Sequence, residues 1–178
     1  MKKAFTMLEL VFVIVIIGVL AAVIIPNTRS NPTAEAATKL MAHLRYTQHL
    51  ALVDDKYDGT DDAFKDRWRV IFNNNAYSII NDDNVSATSP SDRQTEMRNI
   101  NLNDDYGVEI DLKGSCLDMD VISFDYLGRP LVDDSSAAAA ASPYVSLMTA
   151  NCDIKISSGA KIATITIRPE TGYATVSF

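Results

Sequence analysis

Glu9 is a carboxylate set inside an apolar run that extends from Phe5 to Ile25 and reads FTMLELVFVIVIIGVLAAVII. A charged side chain within a bilayer costs on the order of 2.5 to 3.5 kcal/mol on insertion scales, and such residues usually mark a function. The chemistry open to it is ion pairing: either it finds a positive mate, or it snorkels from near the helix start to the headgroups.

The other residues that could do chemistry are weaker candidates. The stretch DDKYDGTDD, Asp54 to Asp62, has the acids and central glycine of a calcium loop. With Gly59 at the sixth loop position, however, Lys56 and Lys65 fall at the third and twelfth, where an EF-hand needs oxygen ligands. A solvated acidic turn is the expectation there, and for Asp82, Asp83, Asp104 and Asp105. His43 and His49 are six residues apart and do not share a helix face, so surface or boundary positions are expected rather than a metal site. Cys116 and Cys152 have no C-x-x-C spacing and no nearby third ligand. If this part of the chain is exported, a disulfide is the natural expectation, and closing the loop would contribute roughly 3 to 4 kcal/mol; the alternative is two buried thiols. Trp68 between Arg67 and Arg69 has the composition of a base-stacking patch, but the same spacing fits a strand with its aromatic turned into the core, which is the expected reading. No P-loop, G-x-S-x-G or H-E-x-x-H occurs, so nothing supports an enzyme, and neither a metal nor another cofactor is expected.

These residues depend on elements with different textures. Twenty-one residues from Phe5 to Ile25 would rise through roughly 30 Å as a helix, the thickness of a hydrocarbon core. Lys2 and Lys3 precede the run, which places the N-terminus in the cytoplasm and sends the rest across the membrane. Pro26 lacks an amide hydrogen and should kink the helix as it leaves the bilayer. Residues 26–54 read as an amphipathic helix, with Ala37, Leu40, Leu44, Thr47 and Ala51 on one stripe. From 55 to 178 short β-rich runs alternate with Asp, Asn, Ser and Gly turns: 68–72, 76–80, 108–112, 121–126, 144–148, 153–157, 162–167 and 173–178. The segments 81–99 and 133–142 read as mobile loops. A helix followed by strands predicts an α+β fold, a long N-terminal helix laid on an antiparallel sheet. The formal net charge of −7 disfavours a broad nucleic-acid footprint, which needs clustered Lys and Arg.

The N-terminal pattern as a whole, Lys2, Lys3, Ala4, Phe5, Thr6, Glu9, Leu10, the apolar run to Ile25 and Pro26, resembles the type IV pilins and type II secretion pseudopilins. FDYLGRPL, Phe124 to Leu131, and the ending ITIRPETGYATVSF resemble the GspH/FimT group of minor pseudopilins and minor pilins within that family. The resemblance implies a pilin-like fold. It also implies that residues 1–4 are a leader removed by a prepilin peptidase cutting between Ala4 and Phe5, with N-methylation of Phe5. Ala4 departs from the usual glycine before the cut. In such proteins the acid at the position of Glu9 meets the N-terminal ammonium of a neighbouring subunit.

The expectation is therefore a filament subunit, single-pass in the inner membrane with a periplasmic domain before assembly. Its implied partners are other pilin or pseudopilin subunits, the prepilin peptidase, and an inner-membrane platform with a separate ATPase. The alternative on the same scaffold is a filament-tip recognition protein, a DNA-uptake receptor or an adhesin.

Overall fold

The computed structural model describes residues 6–24, 31–54, 67–81, 83–117, 119–132 and 147–178. It divides into two compact units, Met1–Asn31 and Pro32–Phe178.

In the first unit α1 spans Met7–Ile24. Thr6 lies just outside the helix, and its carbonyl accepts from the amides of Glu9 (3.1 Å) and Leu10 (3.2 Å). The Thr6 hydroxyl also accepts from the Glu9 amide at 3.3 Å, so Thr6 satisfies part of the first turn, as N-terminal Ser and Thr do. The helix thus begins two residues after Phe5. Its side chains from Thr6 to Ala21 are exposed, apolar ones included. Its 18 residues rise through roughly 27 Å, against the ~30 Å of a hydrocarbon core. Among the described residues no helix is long and apolar enough to cross a membrane; Phe5 and Ile25, the ends of the expected span, lie outside them, as does the kink expected at Pro26.

The second unit starts with α2, Pro32–Val53. Pro32 stands at the first helical position, where the missing N–H costs nothing. The whole expected stripe, Ala37, Leu40, Leu44, Thr47 and Ala51, is buried, joined by Thr33 and Ala36. Thr47 can be buried because its hydroxyl donates to the His43 carbonyl one turn back, at 2.9 Å.

Among the described residues nine strands follow: β1 Trp68–Asn73, β2 Ala76–Ile80, β3 Ile100–Asn101, β4 Glu109–Gly114, β5 Val121–Phe124, β6 Pro130–Val132, β7 Cys152–Ser158, β8 Lys161–Ile167 and β9 Ala174–Ser177. They form two antiparallel sheets rather than the single one expected, in the orders β3-β2-β1-β5-β6 and β4-β7-β8-β9. The chain leaves the first sheet for β4, returns for β5 and β6, and leaves again at β7. The α+β class is as expected. Local alternation of apolar and polar residues is identical in either sheet, which is why the division was not legible. α2 lies against strands of both sheets, and Leu40, Leu44, Val70, Tyr77, Ile79, Phe124, Ile154 and Ile165 close one core. Each such side chain, fully buried, contributes about 1.5 to 3 kcal/mol.

Three described segments carry structure that the sequence did not show. Residues 83–99, read from the sequence as part of a mobile loop, are tied to β2 by backbone hydrogen bonds: the Ile79 amide donates to Met97 O (2.8 Å), Ala87 N to Ile79 O (2.9 Å) and Met97 N to Ala87 O (2.8 Å), with Ala87 and Met97 buried. The short helix α3, Leu102–Tyr106, had no signal strong enough to read; Asn101 caps it by accepting from the Asn103 and Asp104 amides, and Gly107 ends it in the left-handed region at φ 65°. Strand β6 begins with a proline, which β-propensity disfavours, yet an edge position tolerates it. The run expected at 144–148 and the loop 133–142 fall wholly or largely outside the described residues.

Candidate functional site

Glu9 sits in the first turn of α1, where the unsatisfied amides and the helix dipole favour an anion. Its apolar neighbours Met7, Leu8, Val11, Phe12 and Val13 are all exposed. Among the described residues, no basic side chain pairs with its carboxylate. The sequence brings acid and helix start together; Ala4 and Phe5, the expected cleavage and methylation positions, lie outside the described residues. The remaining expected pair is present: Cys116 and Cys152 form a disulfide, with Cα atoms 5.2 Å apart.

The two C-terminal segments singled out in the sequence, distant in the chain, converge on one side chain of α2. Gln48 Nε2 donates to Gly128 O at 2.7 Å and to Thr171 O at 2.9 Å. Gly128 belongs to the β5–β6 turn and Gly172 to the β8–β9 turn, both with positive φ, 76° and 64°. A Cβ on Gly172 would lie 2.6 Å from both Gln48 Nε2 and Gly128 O, so glycine is required by space as well as by φ. Asp125 locks the first turn: its carboxylate accepts from the Leu127 amide (3.0 Å), the Arg129 amide (2.8 Å) and Arg129 Nε (2.7 Å). At 5 % exposure such a charge is tolerable only when its acceptors are filled in this way. Arg45, one turn before Gln48, donates to Ala174 O at 2.8 Å and lies 5.9 Å from the Tyr173 ring centre. Gln48 and Arg45 were not singled out in the sequence; polar residues beside an apolar helix stripe ordinarily face water, and only the turns they reach gives them a role.

The remaining candidates resolve into structure. His43 Nδ1 and the Tyr77 hydroxyl share a hydrogen bond of 2.6 Å. Burial first and Lys39 second lower the imidazole's pKa to about 4, which keeps it neutral. Burial, with Tyr106 and Asp105 adding to it, pushes the Tyr77 phenol well above its usual range, so it stays protonated. His49 is exposed. Trp68 is half-buried against the core and its Nε1 donates to Asp54 Oδ2 at 2.9 Å, with Arg69 buried beside it; the strand reading holds over the stacking patch. Asp105 pairs with Lys39 at 2.9 Å. Asp54, Asp83 and Asp104 are exposed; residues 55–66 and Asp82 lie outside the described residues. Among the described residues no group of three His, Cys, Asp or Glu side chains could hold a metal.

No family model, curated protein or solved structure matches the chain.

Proposed function

We propose that this chain is a structural subunit, a minor pseudopilin or minor pilin, of an extracytoplasmic filament of the type II secretion or type IV pilus kind. The observation that carries the reading is α1: a helix apolar on every side, exposed along its described length, with one acid in its first turn. A helix of that composition is stable only inside lipid or inside a bundle of other helices. The acid then needs a positive mate. The mate is the ammonium of Phe5 on a neighbouring subunit, created when prepilin peptidase cuts after Ala4 and methylates the new terminus.

Before assembly the helix holds the chain in the inner membrane, with the second unit in the periplasm; there Cys116 and Cys152 can oxidise. Assembly draws on packing of apolar helices together with the Glu9 pairing. The work comes from a separate ATPase and membrane platform.

Mass spectrometry of the N-terminal peptide tests the processing directly. Methyl-Phe5 is expected; an intact Met1, or a cut beyond the apolar run, would overturn the reading. Glu9→Ala should still fractionate with membranes yet be missing from sheared filaments.

A further inference from the structure

An asparagine followed by any residue except proline and then Ser or Thr is the acceptor pattern for N-linked glycans. In this chain Asn84-Val85-Ser86 is the one triplet that meets it; Asn31-Pro32-Thr33 fails at its middle residue. The three-residue pattern is weakly specific, so its standing rests on where the fold puts it.

The fold puts it on a short turn after β2. The Asn81 amide donates to Val85 O at 3.0 Å, the Val85 amide donates to the Asn81 side-chain oxygen at 2.8 Å, and the Asn84 amide donates to Asn81 O at 3.1 Å. Asn84 crests the turn at φ 59°, a left-handed conformation that asparagine tolerates better than other side chains. Asn84 and Val85 are exposed. Arg98 holds the residue from its oxygen side: Nη2 donates to the Asn84 carbonyl at 2.7 Å and Nη1 lies 3.4 Å from Oδ1. Among the described residues nothing bonds to Nδ2, the atom that would react. Substitution there would break none of these contacts, and the added group would project into solvent.

We propose that Asn84 is an acceptor site for an N-linked glycan. The amide Nδ2 attacks the anomeric carbon of a saccharide carried on polyprenyl pyrophosphate. The N–C bond forms as the C–O bond to phosphate breaks, polyprenyl pyrophosphate leaves with the electron pair, and the amide loses one proton. Nothing is oxidised or reduced. In the cell the step rests on the periplasmic placement of the second unit proposed above.

The test avoids that dependence. Full-length chain in detergent is incubated with a purified oligosaccharyltransferase and its lipid-linked oligosaccharide, then mapped by peptide mass, with a synthetic peptide covering residues 81–87 as a second substrate. One glycan mass is expected on the wild type and on Ser86→Thr, and none on Asn84→Gln or Ser86→Ala, both of which should still fold, Asn84→Gln with a slightly lower unfolding midpoint because of its positive φ. Unmodified wild-type protein overturns the proposal, whether or not the peptide reacts, and so does modification that persists in Asn84→Gln. Phe5 methylation is read separately on the N-terminal peptide of the native protein, so a chain glycosylated in this assay whose native form keeps Met1 would sink the filament reading and leave this one standing.

Discussion

Protonating His43 puts a charge on a half-buried ring beside Lys39, and this ties stability to pH. The imidazole titrates near 4 in the fold and near 6.5 when unfolded, so between those values the unfolded chain binds the proton first. Stability from the neutral ring is full above about pH 6.5 and is lost as pH falls towards 4. For a half-buried ring partly screened by water the loss is on the order of 2 kcal/mol. Thermal unfolding of the full-length chain across that window should show the slope, and His43→Gln should flatten it; equal slopes would mean the ring is solvated. Gly172 offers a second test at this scale. Gly172→Ala forces a Cβ into the Gln48 amide and the Gly128 carbonyl at a positive φ, and should cost about 2 to 4 kcal/mol. Adding Gln48→Ala removes one of the two clashes, so the double variant should lose less than the two single losses added together; additive losses would show that Gln48 does not bear on the turn.

Among the elements, the disulfide stands where it restrains most. It joins Cys116, just after β4, to Cys152, the first residue of β7, across a sequence separation of 36. Between them in the chain lie β5 and β6, which belong to the other sheet. Cys116→Ser with Cys152→Ser should lower stability by roughly 4 kcal/mol by the loop-closure account, read as a denaturant midpoint of the full-length chain against the oxidised form. A loss near zero would mean that β5 and β6 are already held by β1. The elements also mark how far the residues could be read in advance. The stripe of α2 and the bodies of β1, β2, β7 and β8 were legible because burial imposes a period on the side chains themselves. The partition into two sheets, the capped turn α3 and the tie of 83–99 to β2 were not, because they rest on backbone hydrogen bonds and on Asn101, Asn81 and Gly107 playing parts that any turn might ask of them. The site was legible to the same extent: Glu9 by its charge in an apolar run and the cysteines by their number, but Gln48 only through the two turns it reaches.

At the scale of the whole molecule the chain combines a helix whose described side chains are exposed and, Glu9 apart, apolar with a second unit that closes its own core. Ile14 and Val15 are 60 % and 57 % exposed, Ile16 and Ile17 42 % and 59 %, so exposure runs right round α1 instead of along one stripe. An amphipathic helix lying on a membrane would keep one polar face; the described part of α1 has none, which is why the proposed reading surrounds it with lipid or with other helices. Two acids near its midpoint should cost on the order of 5 to 7 kcal/mol if the surroundings are hydrocarbon, and far less if the helix rests in an aqueous groove. Val13→Asp with Ile16→Asp in the full-length chain, followed by alkaline carbonate extraction of cell membranes, separates the cases. The wild type should stay in the pellet and the double variant should appear in the extract, with the second unit still folded by its oxidised Cys116–Cys152 bond. If both partition alike, α1 is not held by lipid, and the filament mechanism loses the membrane-bound precursor from which it starts.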